Sequence, residues 1–440
     1  MQELTFEQLE LFREGFEKDR AAKTANAAMA KTELANLAYI PMNAARLMGD
    51  FTIELKTRGI TAQEKSGRCW MFAAMNILRE VAAEKLGVDE FEFSENYLAF
   101  YDKLEKTNNY LEMMIESAGE PLDAHMVEHL LNFGFTDGGY WEQAVCLIEK
   151  YGLVPKYVMP ESYQSSHTEK FMNLLNNTIR KYVADLRKMK ADGAERAAIE
   201  EAKQNMMAQV YKAECIVFGE PPKTFDFEYR DAKGEYHADR GLTPLEFYDR
   251  YVGFDLDQYV TIMCAPTEKM EMGKYYVFHN MCCQAGMDLH ALNLTIEEME
   301  DLALKQLQGG TPVWFGCDAG AFGDRKMGVW DPVSFDYEGL LGGMDWYMDK
   351  EDRLNYKQSY ASHAMILVGV NLDDSGKPNR WKIENSWGKD VGKNGYFVAS
   401  EEYFKDYVYE VIINKKYLTE EQKALLRTEP IRLQPWEATT

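Results

Sequence analysis

The chain has 440 residues, with 49 Lys and Arg against 72 Asp and Glu, giving a formal net charge of −23. That length supplies ample core for a globular protein of several domains, and the acidic excess argues against nucleic acid as a general partner, because phosphate binding needs clustered Lys and Arg. No run of about eighteen apolar residues predicts a membrane-spanning helix, and the charged start MQELTFEQLELFREGFEKDR lacks the apolar stretch of a secretory signal.

Residues 5–40 have helical spacing at Leu9, Phe12 and Phe16, then an Ala-rich stretch, and read as an N-terminal arm. A helix is predicted to begin close to Cys69. Its apolar positions Phe72, Ala73, Met75, Ile77, Leu78 and Val81 fit a mostly buried helix that Leu86-Gly87 ends. Further helices are predicted over 94–106, 121–132 and 142–150, with Asp137-Gly138-Gly139-Tyr140 as a turn that needs glycine freedom. Residues 167–215 are helical in pattern, highly charged and poor in Pro and Gly, which suits a solvated face or an oligomer arm. The aromatic-rich stretch 225–259 reads as core. Beyond it, 259–263, 275–278, 312–315, 364–370, 381–384, 396–398 and 408–413 read as strands.

Cys69 stands in QEKSGRCW (63–70), and cysteine is a strong nucleophile with only modest help. The predicted helix N-terminus there is expected to lower the thiol pKa. A histidine must then accept the proton, and a third group must hold the imidazole. Ser362-His363-Ala364 enters an apolar strand, and Glu384-Asn385-Ser386-Trp387-Gly388 leaves another into a glycine turn. Asn385 can accept from an imidazole N–H without adding charge, and Trp387 can shield that bond from water. Gln63, six residues before Cys69, can offer its amide N–H₂ beside the Cys69 backbone N–H as an oxyanion hole.

A competing motif is His125-Met-Val-Glu128-His129, which fits the H-x-x-E-H zinc pattern. It needs a glutamate ligand on a separate helix that the sequence does not identify, so solvated helix histidines are the preferred reading and no metal or other cofactor is expected. The seven cysteines (69, 146, 215, 264, 282, 283 and 317) show no paired spacing. Apart from Cys69 they read as buried thiols in a reducing cytoplasm.

Together these runs resemble the papain superfamily of cysteine peptidases, and more narrowly the bleomycin hydrolase and aminopeptidase C family. The narrower resemblance rests on QEKSGRCWMFAAMN (63–76), TDGGYWEQAVCLIEKYGLVPK (136–156), MPESY (159–163), TPVWFGCD (311–318), SHAMILVGV (362–370) and WKIENSWG (381–388). Two positions depart from the papain-like signature around the nucleophile: Ser66 replaces a cysteine, and Arg68 replaces a small residue.

The resemblance implies a papain-like α+β fold with a cleft between a helical half and a β-rich half. It implies Cys69 as nucleophile, His363 as base and then acid, Asn385 as its orienter, and Gln63 as oxyanion donor. Gly138, Gly139, Trp387 and the terminal Thr440 would bind substrate, the last by capturing a free α-amine. It implies peptide substrates, a cytoplasmic homohexamer, and no membrane partner. The expected division is an arm at 1–50, a helical half at 51–164, a helical insertion at 165–265, a β-rich half at 266–418 and a tail at 419–440. The tail run LQPWEATT is several residues shorter than the family pattern, so a cysteine endopeptidase stands as the alternative to an aminopeptidase. A zinc peptidase and a non-catalytic scaffold are the remote ones.

Overall fold

The computed structural model describes residues 2–279, 282–283 and 288–437. A mixed sheet forms its centre, with twelve strands among the described residues. Strand His363–Leu372 lies inside this sheet, antiparallel to Val313–Cys317 on one side and to Pro378–Glu384 on the other. Val408–Asn414 extends it beyond Val313–Cys317, followed by Tyr259–Met263 and the parallel Leu289–Asn293.

The near-continuous apolar run 364–370 is explained by two cores. Ala364, Ile366 and Val368 face the first, which contains the helix Cys69–Leu86. Met365, Leu367 and Val370 face the second, which contains the helix Ile296–Gln308. A strand buried on both faces has no polar alternation to show. Each large aliphatic side chain sealed in this way contributes about 1.5–3 kcal/mol.

The helix Cys69–Leu86 is buried over Trp70–Arg79 on every side, so it too lacks an amphipathic stripe. Gly87 ends it in the left-handed region at φ 65°. The next helix, Glu95–Glu116, runs well past the predicted end at Lys106. Thr107-Asn108-Asn109 has weak helix propensity, but Tyr110, Leu111, Met114 and Ile115 beyond it are buried in a third core. Packing there overrides local preference. Helix His125–Phe133 starts four residues later than predicted, and helix Trp141–Tyr151 follows the glycine turn.

Two helices, Glu169–Ala191 and Arg196–Phe218, form a hairpin on the third core. The rest of 165–265 is not helical throughout. Phe225–Arg230 and Tyr236–Leu242 make a separate two-stranded sheet, and Tyr259–Met263 already belongs to the central sheet. The N-terminal helices Phe6–Lys18 and Arg20–Met29 bury no residue. No helix among the described residues is long and apolar enough to cross a membrane.

Candidate active site

Cys69 is the first residue of its helix, and Arg68 at the cap offers no side-chain acceptor. The Cys69 and Trp70 N–H groups are therefore unclaimed by a cap, as an anion site requires, while the Met71 N–H donates to Arg68 O. Cys69, His363, Ala364, Gly138 and Gly139 line one cleft of about 670 Å³ between the helical and β-rich halves. His363 starts its strand at the rim of this cleft and is buried.

Asn385 sits behind His363 at the end of the neighbouring strand. Its Oδ1 accepts from the Ser386 backbone N–H at 2.8 Å and lies 2.9 Å from His363 Nε2. Because Oδ1 already accepts from Ser386, the bond to His363 requires hydrogen on Nε2, which leaves Nδ1 with the lone pair. Trp387 stacks on the His363 ring, centroids 4.8 Å apart, and Arg325 lies over Trp387 at 4.1 Å. Trp387 thus packs against the imidazole rather than lining the cleft with Gly138 and Gly139.

Burial sets the electrostatics of the pair. It pulls His363 down to about 4; the Asn385 bond opposes that and the Arg325 charge adds to it. Burial also pushes the Cys69 thiol up. The backbone N–H groups of Ala364, Trp70 and Cys69 act in the lowering direction, yet they do not overcome it. The expected net lowering by the helix N-terminus is therefore corrected: the donors are in place, but the wall of the cleft outweighs them.

Gln63 ties the two halves together. Its Nε2 donates to Ser66 O at 2.7 Å, its Oε1 accepts from Ser386 Oγ at 2.7 Å, and its backbone N–H donates to Ser386 O at 2.8 Å. One of the two amide hydrogens is committed to Ser66, and the other remains a donor.

The two departures around Cys69 form one network. The buried Arg68 guanidinium grips Glu161 of MPESY through two nitrogens at 3.2 and 3.0 Å, and its Nε donates to Ser66 Oγ at 2.9 Å. Ser66 Oγ in turn donates to Gln63 O at 2.6 Å. A serine hydroxyl and an ion pair brace this loop, at the two positions that depart from the papain-like signature.

Asp137 anchors the glycine loop. Burial would raise its carboxyl, but Lys103, the Thr168 hydroxyl and the Gly67 N–H hold it well below the usual range. Trp70 Nε1 donates to Asp137 O at 2.7 Å, and Lys106 Nζ donates to Gly138 O at 2.6 Å. Neither Gly138 nor Gly139 adopts a positive φ, contrary to the expected need for glycine freedom. At Gly139 the reason is close packing: a Cβ would stand 2.5 Å from Gln143 Oε1 and 2.6 Å from the Trp70 ring.

His129 lines the cleft and packs on Phe133, centroids 4.8 Å apart. Among the described residues, His125, Glu128 and His129 join no group of ligand atoms close enough to hold a metal. Thr440 lies outside the described residues. The described tail pairs Ile431–Leu433 with Lys274–Phe278 and brings Pro435 to a cavity that adjoins the cleft. Arg325, Ser386 and Glu161 have contacts at the site that sequence reading did not assign. The Asn-Ser-Trp-Gly and Met-Pro-Glu-Ser-Tyr runs held signals for the last two, whereas Arg325 stands in no motif.

Comparison with known proteins agrees with this geometry. The model of the Peptidase C1-like family matches residues 3–440. Aminopeptidase C of Listeria monocytogenes is 38% identical over 439 residues, covering 99% of this chain and 98% of its own. Aminopeptidase G of Lactobacillus delbrueckii subsp. lactis is 40% identical over 437 residues, covering 99% of each. The crystal structure of PepW from Lactobacillus rhamnosis HN001 superposes with a TM-score of 0.95 at 42% identity, covering 99% of this chain and 98% of that one. The fold is the papain-like α+β fold, and a cleft in which a helix-terminal cysteine, a buried histidine and an asparagine converge is that of a cysteine peptidase: the chain belongs to the Peptidase C1-like family.

Proposed function

We propose that this protein is a cysteine aminopeptidase in which Cys69 is the nucleophile, His363 the base and then the acid, Asn385 the group that orients His363, and Gln63 an oxyanion donor. The observation that carries the reading is the His363 Nε2 to Asn385 Oδ1 contact of 2.9 Å behind a cleft that also holds Cys69. It leaves Nδ1 as the proton acceptor on the side of the imidazole away from Asn385.

As Cys69 Sγ bonds to the scissile carbonyl carbon, its proton passes to His363 Nδ1. The transfer leaves an imidazolium whose charge offsets the negative charge developing on the substrate in a site of low dielectric. The carbonyl oxygen gains the negative charge and meets the Cys69 N–H and the uncommitted Gln63 N–H. The C–N bond then breaks as the amine takes the proton from His363, leaving a thioester. Water attacks the thioester and gives a proton to His363, which returns it to Cys69 as the acid product leaves.

The aminopeptidase reading is supported by the names of relatives that match over almost their whole length, and the endopeptidase alternative is not favoured. Gly138 and Gly139 are the backbone positions offered to an extended substrate, and capture of the substrate amine by Thr440 is supported by the course of the described tail toward the cleft. A cytoplasmic location is supported by seven free cysteines. Self-assembly, with a hexamer as the expected size, is supported by the N-terminal arm, where Phe6, Phe12 and Phe16 are exposed; sedimentation velocity measures it. We divide the chain at 50, 164, 265 and 418 into arm, helical half, insertion, β-rich half and tail, with strand Tyr259–Met263 at the end of the insertion joining the central sheet.

The test is hydrolysis of a free-amine aminoacyl amide beside an N-blocked peptide of several residues. Cys69→Ala is expected to reduce turnover of the free-amine substrate by at least ~10⁴-fold, with the fold unchanged by circular dichroism. Unchanged hydrolysis in that variant overturns the nucleophile, and preference for the blocked peptide overturns the aminopeptidase.

A further inference from the structure

The segment 356–362 leads from helix Lys350–Asn355 to His363 and forms part of the cleft wall. Lys357, Ser359, Tyr360, Ala361 and Ser362 all line the cleft that holds Cys69. The first turn of this segment closes the helix. The Lys357 N–H donates to Leu354 O at 3.3 Å, and the Gln358 N–H donates to Arg353 O at 2.8 Å. These are the two bonds of a Schellman motif, which needs a left-handed residue just after the cap. Lys357 is that residue, at φ 59°.

Glycine is the usual residue at this position, because a Cβ in the left-handed region crowds the following carbonyl oxygen. A lysine there is uncommon and strained. The frame around it is rigid on both sides. Arg353 is buried and paired with Asp406, and Ser359 Oγ donates to Asp318 Oδ2 at 2.7 Å. An unfavourable residue held by a rigid frame at a cleft points to use of its side chain.

Lys357 is exposed, and among the described residues its ammonium has no ion-pair or hydrogen-bond partner. The other titratable groups that line the cleft do not supply one. Lys106 is the second cation, and it commits its three N–H donors to Asp102 Oδ1, Thr136 O and Gly138 O. Glu410 is buried and makes no ion pair with Lys357. His129 is lowered by burial. Lys357 is therefore a cation without a counter-charge, in the substrate cleft of a chain whose net charge is −23.

We propose that Lys357 is a specificity-determining residue, the counter-charge for a carboxylate of the peptide substrate. That carboxylate is either the side chain of an Asp or Glu, or the C-terminal carboxylate of a short peptide. An ion pair on an exposed lysine gives a selectivity of only a few-fold, and salt screens it. The proposal rests on the peptidase reading of the cleft.

The test uses the full chain as wild type, Lys357→Gly and Lys357→Glu. With free amines throughout, kcat/KM is measured for leucyl-glutamyl amide against leucyl-glutaminyl amide, and for leucyl-glycyl-glycine against its amide. Wild type is expected to prefer the acidic member of at least one pair by about threefold, and to lose that preference in about 1 M salt. The preference should vanish in Lys357→Gly and reverse in Lys357→Glu, and the pair that responds names the source of the carboxylate. Lys357→Gly should also unfold at a higher temperature than wild type, because glycine relieves the left-handed turn. A lysine kept for the fold would behave otherwise: its loss would lower the thermal midpoint, and acidic and neutral substrates would fall together. Ratios that are the same in all three chains overturn the proposal. If wild type hydrolyses none of the four substrates, the peptidase reading fails, and calorimetry of leucyl-glutamyl amide on wild type and Lys357→Gly decides the carboxylate site separately. Weaker binding to the variant sustains it; equal binding, or none, overturns it.

Discussion

Buried charge is handled in opposite ways on the two sides of the cleft. Around the Cys69 helix every buried cation has a carboxylate: Arg68 has Glu161, Arg79 has Glu384, Lys103 has Asp137 and Lys106 has Asp102. Where helix Trp141–Tyr151 meets the sheet, Glu142 and Glu410 face a cavity with no cation among its lining residues. The first arrangement fixes positions. Glu384 immediately precedes Asn385, so the Arg79 pair holds the strand end from which Asn385 reaches His363. In the second, Glu142 accepts from the Thr261 hydroxyl and Glu410 has no Lys or Arg beside it among the described residues. Paired buried charge makes scaffold, whereas Glu410 is held protonated by burial.

The largest expected effect comes from breaking a pair in the scaffold. Arg79→Met leaves Glu384 buried without its 2.8 Å partner. Removing one member of such a pair costs about 3–5 kcal/mol, to be read as a shift in the urea midpoint. Adding Glu384→Gln should restore part of that loss, because the uncompensated charge is gone. If Arg79→Met unfolds at the wild-type midpoint, the pairs are not scaffold and the contrast collapses.

A smaller effect of opposite sign is expected at the unpaired site. Burial, with Glu142 adding to it, raises Glu410 to about 8, against an ordinary glutamate value near 4.5. Between these two pH values the folded chain holds a proton that the unfolded chain has lost. Wild-type stability therefore falls as pH rises through that window and levels off above it. Glutamine has no such proton. The Glu410→Gln variant should match wild type near pH 4 and exceed it in thermal midpoint by pH 8.5, with the gap opening between. A gap that is constant with pH would mean that Glu410 is ionised and paired in the folded chain.

These contrasts also mark what the sequence made legible. Cys69, His363, Asn385 and Gln63 sit at the ends of a helix or strands or in the loop just before one, inside short runs whose residue types announce their chemistry. The helix start at Cys69 and the strand from His363 follow from local apolar patterning. Glu410 looks like any glutamate in an apolar strand. Its significance arises only when Ala364, Gly316 and Glu410 are set side by side by strand pairing, and no local period encodes that register. The extension of helix Glu95–Glu116 escaped for a related reason: its last turns are held by Leu175 and Ile179 of a distant helix rather than by their own propensity. The raised Cys69 pKa escaped because burial of the cleft wall is a property of the assembled halves.

Arg325 is a third way of placing a cation, and the smallest effect is expected there. It lies over the Trp387 ring rather than against a carboxylate, and its charge acts on His363 in the same sense as burial. Removing it by Arg325→Ala leaves burial as the dominant cause, so His363 should rise from about 4 but stay below its ordinary value. Protonated His363 cannot take the Cys69 proton, so the acid limb of kcat/KM should move to higher pH. Loss of the ring contact alone would lower kcat at every pH and leave the limb in place. A pH profile separates the two: a shifted limb assigns Arg325 to the electrostatics of His363, and a uniform drop assigns it to the packing of Trp387.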